Sequence, residues 1–267
     1  MISALVINLE HSAERLRFQR QQLTHLQIPM RRLDAVSTKD ILSDQYEHQA
    51  NGWERKLRPA ELACFLSHKA AWQFVLETGQ PWLILEDDAL LSHKTAELLT
   101  TISSTTCELD YVNLETRHRR KWLDRKSLAL IAGYELRRLY QDRTGAAAYV
   151  LFPSGARKLL NRAQFAAPAL ADAFLCRSYD LNGWQVYPAA AIQLDQCANY
   201  GLNPPVSFVS TITPENNVKP QANHFYHYLC FKYRRLAAQL RMGCRQLSVS
   251  RCAQRLMVPI IQSDFEE

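Results

Sequence analysis

Ile2-Ser3-Ala4-Leu5-Val6-Ile7-Asn8 opens the chain as a short continuous apolar run, and the residues after it decide how it is read. A polar stretch carries Glu14, Arg15, Arg17 and Arg20, with Leu16, Leu23 and Leu26 at helical spacing. Pro29 ends that helix, and Met30 to Leu33 read as a second strand. Strand, helix, strand within some thirty residues predicts a β-α-β unit and a parallel sheet. The first strand is then buried on both faces, which explains its unbroken hydrophobicity. No Gly-x-Gly-x-x-Gly sits at the first strand–helix turn, which weighs against a dinucleotide-binding Rossmann unit.

Working outward, residues 36–58 are polar and irregular and read as a mobile loop. Pro59 suits the first turn of a helix running to about Thr78, which Gly79-Gln80-Pro81 stops. Trp82-Leu83-Ile84-Leu85 is a buried strand running straight into Glu86-Asp87-Asp88, and residues 94–103 read as a helix. Tyr111 to Glu115 is a further strand, Arg117 to Arg125 a basic loop, and residues 128–139 hold two weak strands. Gly145 to Phe152 reads as a strand, Pro153 starts a helix ending near Arg162, and Trp184 to Pro188 is the last clear strand. The stretch from Asn203 to Pro220 is the best boundary. The expected organisation is thus an α/β catalytic domain at 1–203 with a mostly parallel sheet, then a linker and basic amphipathic helical region at 204–267.

The 267 residues carry a formal charge of +6, with 47% apolar and 22% charged residues. That composition excludes a wholly disordered, collagen-like or coiled-coil chain. No run of about 18 apolar residues suggests a membrane span, and the N-terminus lacks the basic and long apolar regions of a secretory signal. The charge is not spread evenly. Eight cations, from Lys219 to Arg255, lie between Glu215 and Asp264 with no acidic residue among them, whereas residues 1–215 net only +1. Phe225, Tyr226, Tyr228, Leu229, Phe231, Tyr233, Leu236, Leu240, Met242, Leu247, Leu256, Met257 and Val258 are interleaved with those cations, the composition of a helix lying on an anionic membrane surface. The bland alternative is a helical pair packed on the core with a solvated basic face. No nucleic-acid-binding motif is present. Seven cysteines at wide spacings, with no Cys-x-x-Cys, suggest reduced thiols and a cytoplasmic protein rather than a disulfide framework or zinc site.

The sharpest chemical signal is Glu86-Asp87-Asp88 at a strand end, where open α/β sheets bind ligands. Three adjacent carboxylates repel one another unless a cation compensates, and oxygen donors on a loop suit Mg²⁺ or Mn²⁺ bridging to substrate phosphates. A solvated acidic turn is the plain alternative. Ser67 and His68 sit in an apolar helix, as ligand contacts or as a satisfied core pair. The small residues of Gly145 to Ala148 allow either close ligand approach or tight sheet packing.

Taken together, Ile7-Asn8-Leu9 with Arg15, Arg58-Pro59-Ala60-Glu61-Leu62-Ala63-Cys64 with Ser67-His68, Leu83-Ile84-Leu85-Glu86-Asp87-Asp88, and Gly145-Ala146-Ala147-Ala148-Tyr149 with Gly155-Ala156 resemble glycosyltransferase family 25 over residues 2–200. The bacterial lipopolysaccharide and lipooligosaccharide galactosyltransferases are the closer branch. The resemblance implies a GT-A type fold and inverting transfer of a hexose, most often galactose, from a UDP-sugar to a sugar hydroxyl of a lipopolysaccharide core. It implies Mn²⁺ or Mg²⁺ held by Asp88 with Glu86 and Gln193, and a nucleotide near Asn8, Leu9, Arg15, Asp34, Ser67, His68, Glu86 and Asp87. Asp195 follows Gln193 where the family has further donor contacts, but no well-placed histidine completes the metal site. A general base must take the acceptor proton, and Asp172 is preferred to Glu115. The implied location is the inner face of the cytoplasmic membrane. A metal-dependent phosphoester or nucleic-acid hydrolase, or a non-catalytic protein keeping the fold, are the competing readings.

Overall fold

In the computed structural model, residues 1–142, 144–206 and 225–266 are described. The strands are β1 (Ser3–Asn8), β2 (Met30–Asp34), β3 (Trp82–Glu86), β4 (Ala89–Leu91), β5 (Tyr111–Asn113), β6 (Arg120–Ile131), β7 (Tyr134–Gln141), β8 (Ala148–Leu151), β9 (Gly183–Tyr187), β10 (Ala191–Gln193) and β11 (Ala253–Met257). The helices are α1 (Ala13–His25), α2 (Ser43–Ala50), α3 (Pro59–Thr78), α4 (Thr95–Ser104), α5 (Pro153–Phe165), α6 (Ala171–Cys176) and α7 (Phe225–Val249).

The opening β-α-β unit forms as the sequence predicts, with β1 parallel to both β2 and β3. The strand sends alternate residues to opposite faces. Ala4 and Val6 pack with Leu16 and Leu23 of α1 and Leu98 and Leu99 of α4. Leu5 and Ile7 pack with Phe65, Trp72 and Val75 of α3 and Leu159 of α5. Two helical layers therefore sandwich one sheet, ordered β11-β6-β7-β9-β5-β8-β3-β1-β2. The sheet is mixed: β2-β1-β3 and β5-β9 are parallel, and the other neighbouring pairs are antiparallel. The sequence predicts a mostly parallel sheet, but β8 runs against both of its neighbours. The long β6–β7 hairpin, turned at Gly133 with φ +82°, adds further antiparallel pairs at one side.

α3 has the predicted bounds. Pro59 starts it, Glu61 accepts the Arg58 amide proton at 2.8 Å, and Gly79 closes it with φ +62°. Three expectations need correction. Residues 36–58 are not an irregular loop, because a turn of 3₁₀ helix at Thr38–Asp40 and α2 occupy them. The basic loop at 117–125 becomes β6 from Arg120 onward, with Lys121 and Leu123 turned inward. The C-terminal region is one long helix, and β11 after it pairs antiparallel with β6. That strand completes the sheet, so a division at residue 203 does not follow the architecture. Most of the expected linker, residues 207–224, lies outside the described residues.

Candidate functional site

Parallel pairing of Ile7 with Glu86 brings the ends of β1 and β3 side by side. A second, two-stranded sheet pairs Gln193 of β10 with Ala89 of β4. These two registers put Asn8, Glu86-Asp87-Asp88 and Gln193 in one place. Asn8 Nδ2 donates to Asp87 Oδ2 at 2.8 Å, and Arg15 Nη1 to Asp87 Oδ1 at 3.0 Å. The same guanidinium is 3.8 Å from Asp88 Oδ2. Gln193 Nε2 donates to Glu86 Oε2 at 3.0 Å and Asp88 Oδ1 at 3.3 Å.

The three carboxylates are not equivalent. Burial, then repulsion from Glu86 and Asp87, pushes Asp88 up to about 7, with Arg15 and Gln193 opposing. Burial also works to raise Glu86, but the hydrogen bond from His68, with the charges of Arg117 and Arg15, outweighs it and holds Glu86 below the usual carboxylate range. Asp87 has its cation within the chain, whereas Asp88 carries the unmet demand for positive charge.

Behind Glu86 runs a buried chain of side chains. Trp72 Nε1 donates to the Tyr149 hydroxyl at 2.9 Å, which lies 2.9 Å from His68 Nδ1, and His68 Nε2 is 3.1 Å from Glu86 Oε1. The network assigns the protons. The Tyr149 oxygen accepts from Trp72, so its own proton goes to His68 Nδ1, and Nε2–H then donates to the Glu86 carboxylate. His68 thus orients Glu86 rather than reaching into solvent. Ser67 Oγ donates to the Ala63 carbonyl at 2.8 Å and accepts from Val36 N at 2.9 Å, tying α3 to the segment after β2.

Two clefts meet here. The first, about 350 Å³, is lined by Leu9, Arg15, Ser67, His68, Asp87 and Asp88 among others. The second, about 240 Å³, is lined by Arg58, Arg117, Gly145, Asp172 and Gln193 among others. Ala60, Cys64 and Glu86 belong to both walls. Asp172 sits in the first turn of α6, accepts from Ala173 N at 2.6 Å, and is raised by burial. Glu115 lines neither cleft. It is fully buried beneath Gly145, where an added Cβ would lie 3.3 Å from its Oε2. Oε2 accepts from Ala147 N at 2.9 Å, Oε1 has no partner among the described residues, and burial followed by the Glu86 charge raises the carboxyl to about 8.

Of the residues expected from sequence, Leu9, Arg15, Ser67, His68, Glu86, Asp87 and Asp88 line the first cleft, and Asn8 lies beneath it holding Asp87. Gln193 and Asp172 line the second. Asp34 does not join them: 85% exposed, it turns to solvent and pairs with Arg32 at 2.8 Å. Asp195 pairs with Arg117 at 3.2 Å. Sequence reasoning quoted Cys64 and Tyr149 among the motif residues but gave their side chains no role, and it passed over Trp72. Their helical and strand spacing reads as core, and only the buried polar His68 hinted at a partner.

Cys64, His68 and Glu86 bring their ligand atoms within 4.8 Å of one another. They suit a hard cation poorly, since the His68 Nε2 proton is engaged with Glu86 and burial raises the Cys64 thiol well above its usual value. Oxygen donors fit better. Among the described residues, Asp88 and Glu86 are bridged only by an amide and the buried Gln193 Oε1 has no partner, so these three residues fit a divalent cation.

No curated protein matches the chain in sequence. Among solved structures, A197 from STIV aligns with a TM-score of 0.39 at 12% identity over 84% of this chain and 96% of that one. The inositol-1-phosphate CTP transferase from T. maritima aligns at 0.35 and 10% identity, over 79% of this chain and 73% of that one. Nothing about the site rests on either likeness. The model of glycosyltransferase family 25, LPS biosynthesis protein, matches residues 1–175, which include every cleft residue above except Gln193, and the chain belongs to that family of lipopolysaccharide-biosynthesis glycosyltransferases.

Proposed function

We propose that the protein transfers a hexose, galactose foremost, from a UDP-sugar to a hydroxyl of a lipopolysaccharide or lipooligosaccharide core with inversion, in a GT-A type arrangement. The observation that carries this reading is the pair of clefts meeting at Glu86, with Asp88 in one and Asp172 in the other. The first cleft, at the β1 and β3 strand ends, takes the nucleotide-sugar. Arg15 there supplies positive charge for the diphosphate, while Asn8 and Arg15 fix Asp87. The second cleft takes the acceptor.

Asp172 accepts the hydroxyl proton as the acceptor oxygen bonds to the anomeric carbon, and the bond from that carbon to the UDP oxygen breaks with its electron pair leaving on UDP. A single displacement of an α-linked donor gives a β-linked product. Mn²⁺ or Mg²⁺, when bound, would neutralise charge developing on the leaving diphosphate, and Asp88, Glu86 and Gln193 are the residues that would hold it. The cations and exposed apolar side chains of α7 support attachment to an anionic membrane surface, the inner face of the cytoplasmic membrane.

The test is UDP release from a panel of UDP-sugars with a core oligosaccharide acceptor, in Mn²⁺, in Mg²⁺ and in chelator. Release is expected with UDP-galactose and a metal, and a β-anomeric coupling in the product by NMR. No turnover with any nucleotide sugar under any metal condition would overturn the proposal.

A further inference from the structure

We propose that a second binding site, in the cleft between α6 and α7, holds a phosphoryl group. The cleft measures about 340 Å³ and lies apart from the two at the strand ends. Four arginines line it: Arg162 from α5, Arg177 just after α6, and Arg234 and Arg241 from α7. Glu54 is the one carboxylate in its lining among the described residues, and it is taken by Arg177 at 2.5 Å.

Each guanidinium has a different status. Arg177 is spent on Glu54 and lies 5.7 Å from the Trp53 ring centre. Arg234 Nη1 donates to the carbonyls of Asn51 at 2.7 Å and Trp53 at 3.2 Å, pinning α7 to the segment after α2. Arg162 lies against the Phe174 ring at 5.1 Å, and its Nε is buried without a partner among the described residues. Arg241 has no hydrogen-bond or ion-pair partner among the described residues. Burial lowers the Arg162 guanidinium from its usual range; Asp180 opposes this, and Arg177 and Arg241 add to it.

Like charges gathered around a cavity, one of them with a buried unsatisfied donor, raise the energy of the empty site. An anion with several acceptor oxygens removes both penalties. Planar guanidinium forks match a phosphoryl group, and aromatic flanks hold them in plane.

The location gives the site a use. Ala171 and Asp172 of α6 face the acceptor cleft, while Ala173 and Phe174 of the same helix face the arginines. A phosphoryl group bound there lies one helix away, on the order of 10 Å, from Asp172. Two sources offer that chemistry: a phosphate on the acceptor glycan, or the headgroup of a lipid beneath α7. The glycan source rests on the transferase reading, but phosphate binding does not.

The experiment titrates the full-length protein with inorganic phosphate, followed by NMR of arginine side chains and by calorimetry, for wild type, Arg162→Gln/Arg241→Gln, and Arg162→Lys/Arg241→Lys. Wild type is expected to bind. The Gln pair should lose about tenfold or more in affinity, and the Lys pair should recover part of it. Arg235→Gln, outside the cleft, should bind as wild type, and thermal unfolding checks that each variant folds. Two further arms separate the sources. A higher KM for phosphorylated but not dephosphorylated core oligosaccharide, with kcat unchanged, assigns the phosphate to the glycan. Weaker binding to phosphatidylglycerol vesicles in the Gln pair than in Arg235→Gln, which also removes one cation of α7, assigns it to the lipid. Phosphate affinity equal in wild type and the folded Gln pair overturns the site, whatever the transferase assay gives.

Discussion

Glu115 and Asp172 are both carboxylates raised by burial, yet only Asp172 faces a cleft. Asp172→Asn keeps the shape and the Ala173 contact but cannot take a proton. It is expected to lower kcat by about 10²–10⁴ while calorimetry shows UDP-sugar affinity unchanged. Glu115→Gln should retain transfer, and its effect should appear in stability. The Glu115 carboxyl rises from 4.5 to about 8 on folding, so between those values the native state holds a proton that the unfolded chain has released. Stability therefore falls as pH rises through that window, at up to about 1.4 kcal/mol per pH unit, and Gln removes this slope because it stays neutral. Urea midpoints between about pH 5 and 8 should be flatter for the variant, which becomes the more stable form at the upper end. Tyr149→Phe tests the buried chain behind Glu86. It strands Trp72 Nε1 and His68 Nδ1 together, and a loss of about 1–3 kcal/mol in urea unfolding is expected, with a raised KM for the donor as Glu86 loosens.

At the scale of elements, β6 shows what sequence did and did not reveal. β1, α1, β2, α3 and β3 were legible because their apolar spacing and their Pro and Gly punctuation agree with the fold. Glu86-Asp87-Asp88 was legible because three carboxylates at a buried strand end need a reason. Arg117-His118-Arg119-Arg120-Lys121 reads as a basic loop, either steering an anionic substrate or simply solvated, yet Lys121 is 1% exposed. Its ammonium is satisfied by partners distant in sequence: Asp142 at 2.6 Å, the Gln185 side-chain oxygen at 2.8 Å and the Glu115 carbonyl at 2.9 Å. Periodicity cannot see such a network, nor β11, whose alternate Gln254 and Leu256 against Ala253 and Arg255 carry little pattern. Lys121→Met is expected to cost about 3–5 kcal/mol in chemical denaturation, because it leaves the buried Asp142 carboxylate without this cation. Lys121→Met/Asp142→Leu should recover much of that loss. Additive losses in the double variant would show that the pair does not act as a unit.

For the molecule as a whole, the decisive feature is that α7 presents apolar side chains to two sides. Phe231, Ala238 and Val249 are buried against the body. Leu229, Tyr233, Leu236, Leu240 and Leu247 are exposed, at intervals of four, three, four and seven residues that place them on the opposite face. Lys232, Arg235 and Arg241 fall on the flanks between the two faces. A helix of 25 residues, about 37 Å long, can bury that outer stripe in a bilayer surface or against a second copy of itself. Charge favours the bilayer. Residues 225–249 hold five cations and no acidic residue, so pairing two such helices brings like charges together, whereas anionic lipid neutralises them. Truncation is a poor test, since it also strips β11 from the sheet and exposes the edge of β6. Leu229→Ser/Leu236→Ser/Leu240→Ser leaves the buried face intact. Co-sedimentation with phosphatidylglycerol vesicles should weaken at least about tenfold in this variant, as buried apolar area is lost, while UDP release with a soluble acceptor is unchanged. Wild-type binding should also fall as salt rises from about 0.05 M to 0.5 M, because the Debye length shrinks from about 14 Å to about 4 Å. Vesicle binding equal to wild type, or a stripe-dependent dimer in size-exclusion chromatography, would place something other than lipid on that face.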